Sequence, residues 1–269
     1  MPEEYEDASF RERILASISF HHILMVLVVV AMILLSLLLA GCSSSSPLIP
    51  GIFLISLYYQ KYVPVPSTAQ VDYNAHNAIA VVAGEAVLQC RVGYFGICIN
   101  PDGGSWLCSN NATALANEIA LSQDPLNLVW LASQFKDMIV FPYLLIIAVL
   151  FAFLCLLILA TFPNWENEGE GEQLHLVKRF PTRSVAQVTL ITIFISCAFV
   201  LVSVLWQHTA SVAASIIVQD FGNGSVRSGV GTSAMVLGWF GLVFLVTIMI
   251  GLLFYCLTHL SMRQAEEGR

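Results

Sequence analysis

Four long apolar stretches constrain this chain more than any other feature of its sequence. They run over residues 23–41, 138–161, 185–206 and 236–257, and none of them contains Asp, Glu, Lys or Arg. A helix needs about 20 residues to cross the hydrocarbon core of a bilayer. Only 11% of the 269 residues are charged, whereas a soluble domain carries about 25%. The chain is therefore predicted to cross a membrane four times.

The basic residues predict the sidedness of the connecting segments. Seven of the 11 Lys and Arg residues lie in segments 1–22, 162–184 and 258–269, and the other four lie in segments 42–137 and 207–235. Because cytosolic loops carry the excess of Lys and Arg, both termini and the middle loop are predicted to be cytosolic. The other two segments are then predicted to be extracellular.

Sequons and cysteines fit this sidedness. The sequons at Asn111 and Asn223 both fall in the predicted extracellular segments, where they would be glycosylation sites. Four of the seven cysteines lie in the first of these segments, and an oxidising exterior favours disulfides. These four are Cys42, Cys90, Cys98 and Cys108.

Four cysteines allow three sets of two disulfides, and the sequence alone does not choose among them. Residues 101–106 contain Asp-Gly and Gly-Gly, which favour a tight turn between two strands. Such a turn would place Cys98 and Cys108 on facing strands, so we predict a disulfide between them. Cys42 and Cys90 are then left either to pair with each other or to stay free.

The segment 42–137 is predicted to form a small β-domain. Residues 51–60 are rich in β-branched, apolar and aromatic side chains, and residues 78–101 contain two or three more strand-like runs. A short helix before the second span is predicted from Asp124 as its N-cap and Pro125 as its first residue. The third helix is predicted to continue outward from its span to about residue 221, before the glycine that follows.

Residues 93–98 (GYFGIC), with the two residues Trp106 and Cys108 further on, carry a resemblance to a known fold. Their spacing resembles the Gly-Leu-Trp-x-x-Cys signature in the first extracellular loop of claudin-type tetraspan proteins. The resemblance implies a claudin-like bundle of four transmembrane helices with a small extracellular β-sheet domain. It also implies that the glycine-aromatic turn packs the sheet onto the membrane surface and that the two cysteines bridge adjacent strands. The structural determinants would be Gly93, Tyr94, Phe95, Gly96, Cys98, Trp106 and Cys108, with Phe95 where claudins have Trp.

Nearly the whole chain resembles one fungal branch, the Factor-Induced-Gene family of calcium-regulator and mating membrane-fusion proteins. The motifs that carry this resemblance are AGC at 40–42, DPLNL at 124–128, VFPYLL at 140–145, TFPNW at 161–165, WQHTASVAA at 206–214 and FGNGSVRSGVGTSAMVLGW at 221–239. The resemblance implies a role in the fusion of mating cells and in low-affinity calcium entry, at sites of cell contact. It also implies calcium-channel components or surface proteins of the partner cell as partners.

The sequence offers few candidates for chemistry. It contains no Ser-His-Asp set, His-rich metal motif or phosphate loop, so we do not expect an enzyme, a resident cofactor or nucleic-acid binding. The four spans carry no charge that would mark an ion path. Calcium needs six to eight oxygen ligands, and Asp102 and Asp124 are the candidate ligands in the first extracellular segment.

We therefore expect a non-enzymatic tetraspan that promotes cell–cell fusion during fungal mating and regulates low-affinity calcium influx. Membrane lipids would surround its helices. Small residues in the fourth helix, such as Gly238 and Gly241, allow either close packing within the bundle or a homo-oligomer. Two alternatives stay open: a calcium-permeable channel or channel subunit, and a structural organiser of membrane domains or cell wall.

Overall fold

The computed structural model describes residues 20–60, 72–162, 165–168, 175–178 and 183–267. Its helices are α1 (Phe20–Ala40), α2 (Tyr73–Ala83), α3 (Ala112–Asn117), α4 (Leu128–Met138), α5 (Pro142–Ala160), α6 (Arg183–Phe221) and α7 (Thr232–Glu267). Its strands are β1 (Ile55–Tyr59), β2 (Gln89–Val92), β3 (Ile97–Asn100), β4 (Leu107–Ser109), β5 (Trp165–Glu168), β6 (His175–Lys178) and β7 (Val226–Val230).

Four helices among the described residues are long and apolar enough to cross a membrane. The candidate spans are His22–Ala40, Pro142–Ala160, Ser184–Phe221 and Thr232–Thr258, and they belong to α1, α5, α6 and α7. With 39 residues, α6 is about 58 Å long, whereas the hydrocarbon core of a bilayer is about 30 Å thick. The helix α6 therefore extends well beyond the length that a membrane requires.

The chain divides into two compact units. The first comprises Met1–Ile33, Ile147–Phe199 and Gly241–Arg269, and the second comprises Leu34–Ile146 and Val200–Phe240. In both units the long helices contribute buried apolar side chains, and the second unit also contains a β-sheet.

Buried hydroxyl groups in the first unit are satisfied within the protein. The Ser196 Oγ donates to the carbonyl of Ala148 on α5 (2.8 Å), which joins α6 to its neighbour. The Thr189 Oγ1 donates to the carbonyl of Val185 one turn earlier in the same helix (2.8 Å). Because lipid offers no hydrogen-bond partner, internal bonds of this kind are what allow polar side chains inside a membrane span.

The first unit also contains a short antiparallel ladder between β5 and β6. It lies in the segment 162–184, which the sequence predicts to be a cytosolic loop. At the far end of the chain, α7 continues to Glu267, through most of the segment predicted as the cytosolic tail. That segment contains Met, Arg, Gln, Ala and Glu, which all have high helix propensity.

The second unit is built on a five-stranded antiparallel sheet with the strand order β4-β3-β2-β1-β7. The first four strands come from the segment 42–137. The fifth, β7, comes from the segment 207–235, in which the sequence analysis predicted no strand. It pairs with β1 in the register Ile55↔Val230 to Tyr59↔Val226. Both segments predicted to be extracellular therefore build one sheet.

One face of this sheet packs against α4. Side chains alternate between buried and partly exposed along β1, and the buried set includes Ile55, Leu57 and Tyr59. The facing residues of α4 are Leu128, Val129, Ala132 and Phe135, all of them buried. Burial of each aliphatic side chain stabilises the fold by about 1.5–3 kcal/mol, so this layer is the core of the second unit.

One strand prediction is wrong. Residues 78–83 were expected to form a strand, but they are the last half of the helix α2. The Asp72 side chain caps this helix by accepting hydrogen bonds from the amides of Asn74 (2.9 Å) and Ala75 (3.4 Å). Gly84 ends it with a φ of +55°, a conformation that glycine adopts at low cost.

The predicted start of α4 is wrong by a few residues. The helix begins at Leu128 with Asn127 before it, so Pro125 is not its first residue. The carboxylate of Asp124 nevertheless accepts the amides of Leu128 (2.7 Å) and Val129 (3.0 Å). Asp124 thus satisfies the start of the helix from outside the N-cap position.

Candidate functional site

The glycines of the signature bring the β2–β3 turn into backbone contact with the end of α1. The turn is residues 93–96, and the Gly93 amide donates to the Gly96 carbonyl (2.9 Å) to close the hairpin. A Cβ atom on Gly93 would overlap the carbonyl of Gly41, and one on Gly96 would overlap the carbonyl of Cys42. Glycine is therefore required at both positions because no side chain fits between the two backbones.

The end of α1 is shaped to receive this turn. Cys42 follows the helix with a φ of 54°, which turns the chain sharply away from the helix axis. The Ser43 Oγ donates to the carbonyl of Ala40 (2.6 Å), and the Ser45 Oγ accepts from the amide of Cys108 on the edge strand β4 (3.0 Å). The serine run after α1 thus satisfies polar groups at a helix end and at a sheet edge.

Tyr94 links the same turn to α6 and α7. Its hydroxyl donates to the Gln207 Oε1 on α6 (3.0 Å), and the Gln207 Nε2 lies 3.7 Å from the Met235 Sδ on α7. Burial raises the pKa of Tyr94 to about 12, and a hydrogen bond with Ser203 partly offsets this rise. The phenol therefore stays neutral at physiological pH and keeps its proton for Gln207. Phe95, by contrast, is 41% exposed.

The two cysteines of the signature are joined. Cys98 and Cys108 lie directly opposite each other on β3 and β4, and they form a disulfide with a Cα–Cα distance of 4.0 Å. Since β4 is the edge strand of the sheet, this bond fastens the edge to the interior of the sheet.

Trp106 is fixed by an arginine next to this disulfide. Arg91 lies opposite Cys98 in the β2–β3 register. Its guanidinium carbon is 4.0 Å from the ring centroid of Trp106 and 4.7 Å from that of Phe53. The Nη1 of the same residue donates to the carbonyl of Pro50 (3.0 Å). A cation held between two aromatic rings in this way stabilises both ring positions.

Cys42 and Cys90 are both free, buried thiols, so the structure shows no second disulfide between them. Burial raises the pKa of the Cys42 thiol to about 12, although the charge of Arg91 opposes this rise. Burial also raises the pKa of Cys90 well above its ordinary value, and the charge of Asp124 adds to the effect. Both thiols are therefore protonated and act as small apolar side chains.

Asp124, one of the two candidate calcium ligands, is part of a buried hydrogen-bond network. Its Oδ1 accepts from the Tyr59 hydroxyl (2.7 Å) in addition to the amides at the start of α4. The Tyr59 hydroxyl in turn accepts from the amide of Leu126 (2.8 Å). Burial and the bond to Asp124 together raise the pKa of Tyr59. Because both oxygens of Asp124 already have protein donors, the residue holds α4 against the sheet.

Asp102, the other candidate, lies in the exposed β3–β4 turn. Its Oδ1 accepts from the Gln123 Nε2 (3.0 Å). Within the described residues, no group of three or more His, Cys, Asp and Glu side chains has the geometry to hold a metal ion. The structure therefore does not bring Asp102 and Asp124 together with further acidic ligands.

The two sequons differ in accessibility. Asn111 is exposed, and its Oδ1 caps α3 by accepting the amides of Thr113 (2.9 Å) and Ala114 (3.3 Å). Asn223 is half-buried with a φ of 45°, and its carbonyl is hydrogen-bonded to the Nδ1 of His76. The hydroxyl residue of the second sequon, Ser225, is also buried.

Sequence reasoning missed the residues that complete this site. Arg91 and Phe53 were not singled out, and neither was Gln207 or Tyr59. A glutamine in an otherwise apolar helix is an available signal, because a polar side chain at such a position needs a partner. The partners themselves come from distant parts of the chain, and the sequence does not show which residues meet.

The site as a whole is a joint between the sheet and the ends of the helices, formed by close backbone contact, a disulfide and buried hydrogen bonds. A family model described as "Ca2+ regulator and membrane fusion protein Fig1" matches residues 73–258, which include the signature turn, the disulfide and β7. No curated protein sequence matches the chain at a significant level. Since the family model covers well over half of its length, the chain belongs to the Fig1 family of Ca2+ regulators and membrane fusion proteins.

Proposed function

We propose that this chain is a non-enzymatic plasma-membrane protein that promotes cell–cell fusion during fungal mating and regulates low-affinity calcium influx. The observation that carries the proposal is the attachment of the five-stranded sheet to the ends of three apolar helices. The turn at Gly93 and Gly96 contacts the end of α1. Tyr94 bonds to Gln207 of α6. The strand β7 lies between α6 and α7 in the chain and pairs with β1.

These attachments support a coupling mechanism. A force on the sheet, exerted by a surface protein of a partner cell, acts directly on the helix ends because backbone contact at Gly96 and Gly93 leaves no compressible side chain between them. The helices can then alter the packing of a neighbouring calcium-channel component. In this mechanism the chain senses contact through its sheet and regulates calcium entry through its helices.

The proposal includes a topology in which the sheet is extracellular and both termini are cytosolic. The Cys98–Cys108 disulfide supports it, since disulfides persist on the oxidising side of the membrane. Exposure of Asn111 makes this residue the better glycan acceptor of the two sequons. Replacement of Asn111 by Gln should remove a glycosidase-sensitive shift in electrophoretic mobility. Glycosylation of neither sequon, together with cytosolic labelling of the sheet, would contradict the topology.

The functional test is deletion of the gene in both partners of a mating pair. We expect more pairs that arrest with closely apposed, unfused membranes, and a lower rate of radioactive calcium uptake in the low-affinity range. Re-expression of the wild-type chain should restore both, and the C98A/C108A double variant should restore neither. Normal fusion and normal uptake after deletion would contradict the proposal.

Reconstitution distinguishes a regulator from a channel. We expect the purified chain in liposomes to conduct no calcium, because the four apolar stretches 23–41, 138–161, 185–206 and 236–257 contain no Asp, Glu, Lys or Arg that would line an ion path. Calcium flux that rises with the amount of protein would instead favour the channel alternative. Stationary membrane patches with unchanged calcium uptake in cells would favour the structural organiser.

A further inference from the structure

A small cavity lies in the second unit, beside the hydrogen bond that joins the signature turn to α6. Its volume is about 10 Å³, which is about the least that a water molecule requires. Four polar side chains and several apolar ones line it, and all of them belong to the second unit. The polar ones are Tyr94, Ser203, Gln207 and Ser211.

Ser211 is the residue of this lining that needs a ligand. Its side chain is 1% exposed, and its Oγ has no hydrogen-bond partner among the residues that the structure describes. Thr189 and Thr209 of the same helix instead donate to the carbonyl one turn earlier. A buried hydroxyl group without a partner is unfavourable, so the cavity beside Ser211 is the place from which a partner would come.

The geometry of α6 places a second polar group within reach of the same cavity. Gln207 and Ser211 are four residues apart, so they lie on one face of the helix with their Cβ atoms about 5–6 Å apart. The Gln207 Oε1 accepts from the Tyr94 hydroxyl (3.0 Å), and an amide oxygen can accept a second hydrogen bond. One water molecule with two hydrogen bonds of about 2.8 Å bridges groups at such a separation.

The size and the charge of the cavity exclude other ligands. Pockets for organic molecules have volumes of about 300–1,000 Å³, far above the volume found here. The lining contains no Asp, Glu, Lys, Arg or His, so a buried cation would have no opposite charge to compensate its loss of hydration. Cavities with purely apolar walls stay dry, but this one is lined by hydroxyl and amide groups.

We propose that this cavity binds one water molecule, which bridges the Ser211 Oγ and the Gln207 Oε1. The water extends the hydrogen-bonded chain that starts at Tyr94 in the signature turn, and it carries that chain one further turn along α6. It thereby makes Ser211 part of the joint between the sheet and the helix. The inference concerns the construction of the joint and does not depend on the proposed role in fusion or calcium entry.

The test is X-ray radiolytic labelling of the full chain in lipid nanodiscs, followed by mass spectrometry. Ionising radiation converts water, including water bound inside a protein, into hydroxyl radicals that oxidise the nearest side chains. Tyr94 and Phe135 line the cavity and are only 5% and 6% exposed, so we expect oxidation of both by the bound water. Tyr59 is 7% exposed and lies outside the lining, so it reports radicals from bulk solvent and should stay unmodified.

The decisive variant is Ser211→Val, which removes the hydroxyl group and adds a methyl group that occupies part of the cavity. Oxidation of Tyr94 and Phe135 should fall to the level of Tyr59. The matched control is Thr209→Val, which makes the same kind of change at an exposed position two residues earlier on α6. Its labelling should equal that of the wild type. If Ser211→Val does not fold, Ser211→Ala removes the hydroxyl group alone and should also lower the labelling.

Three results would overturn the inference. Oxidation of Tyr94 and Phe135 in the wild type no greater than that of Tyr59 would show that the cavity is dry and that Ser211 bonds within its own helix. Strong oxidation of all three residues would show that the radicals come from bulk solvent. Unchanged labelling in both Ser211 variants would show that Ser211 does not hold the water.

Discussion

Two glycine-containing turns of the sheet use the same residue for different physical reasons. In the β2–β3 turn, a Cβ on Gly93 or Gly96 would overlap the backbone at the end of α1. In the β3–β4 turn, a Cβ on Gly103 or Gly104 would meet no atom within 4 Å. Gly103 has a φ of +76°, so glycine is needed there because of the backbone conformation and not because a side chain would lack space.

The difference shows where the sheet is held in place. The first turn is fixed by contact with another element and has no freedom to change. The second turn is held by side-chain contacts such as the bond from Gln123 to Asp102, and its strands are joined by the Cys98–Cys108 disulfide, but its glycines have open space around them. Substitutions in the two turns should therefore affect stability to very different extents, and the following predictions test that ranking.

Replacement of Gly96 by Ala should have the largest effect. The new methyl group would collide with the carbonyl of Cys42, and neither backbone can move without displacing α1 or the sheet. We expect a loss of about 3 kcal/mol or more in the free energy of unfolding, measured by chemical denaturation in detergent. The matched control is Gly104→Ala, which should change stability by less than about 0.5 kcal/mol. Equal stability of the two variants would eliminate the distinction between the turns.

Removal of the disulfide in the C98A/C108A variant should have the next largest effect. The bond closes a loop with a sequence separation of 10 residues, and a loop of this size contributes about 3 kcal/mol by restricting the unfolded chain. Thermal unfolding of the purified chain would measure the loss. Cys256→Ala removes a free thiol and serves as the control. A disulfide variant as stable as this control would show that β4 is held by other contacts.

Replacement of Tyr94 by Phe should lower the free energy of unfolding by about 1–2 kcal/mol, because the buried Oε1 of Gln207 loses its hydrogen-bond donor. This penalty should depend on pH. In the folded chain Tyr94 keeps its proton to about pH 12, whereas an unfolded tyrosine loses it near 10.0. The wild type should therefore lose stability as the pH rises from 10 to 12.

The Phe variant lacks that phenol, so its disadvantage should shrink over the same pH range. Denaturation midpoints at pH 8, 10 and 11 would measure the difference. A penalty that is constant with pH would show that folding does not raise the pKa of Tyr94, and the absence of a penalty at every pH would show that its hydroxyl group does not contribute to stability.

Gly103→Ala should have the smallest effect of the four. An alanine at a φ of +76° should lower the free energy of unfolding by about 1 kcal/mol, since the left-handed region is unfavourable for residues with a Cβ. Differential scanning calorimetry of this variant next to Gly104→Ala would detect the shift. A loss as large as that of Gly96→Ala would mean that the glycines of this turn are also enclosed by neighbouring atoms.

Patterns within short windows predicted the helical part of the fold. Apolar stretches without charge predict membrane helices because lipid excludes every other backbone arrangement apart from a closed barrel. The disulfide was predicted for a similar reason, since residues 101–106 form a tight turn between the two cysteines. In each case the residues that decide the structure lie close together in the chain.

The helix α2 shows where local patterns mislead. Its residues 78–83 are alanine, isoleucine and valine, and this apolar run was taken for a strand. Periodicity does not separate a short strand from a helix in such a run. The caps at Asp72 and Gly84 decide the matter, and both were available in the sequence.

Neither the strand β7 nor the ring contacts of Arg91 could be predicted from the sequence. The sequence VRSGV is short and contains glycine and serine, so it has no strand pattern of its own. It forms a strand because β1 offers a partner some 170 residues earlier in the chain. Likewise, the ring contacts of Arg91 with Phe53 and Trp106 depend on the register of β2 and β3. Register is a tertiary property, and one sequence does not reveal it.

The pairing of β1 with β7 has a consequence for biogenesis. While the ribosome is still synthesising α6, the hydrogen-bonding edge of β1 has no neighbour on that side, and it acquires one only when Val226–Val230 emerge just ahead of the last helix. Completion of the sheet thus requires that synthesis has passed the whole of α6. A chain that stalls before Val226 would keep this edge of β1 unpaired, and an unpaired strand edge is a template for association with other chains.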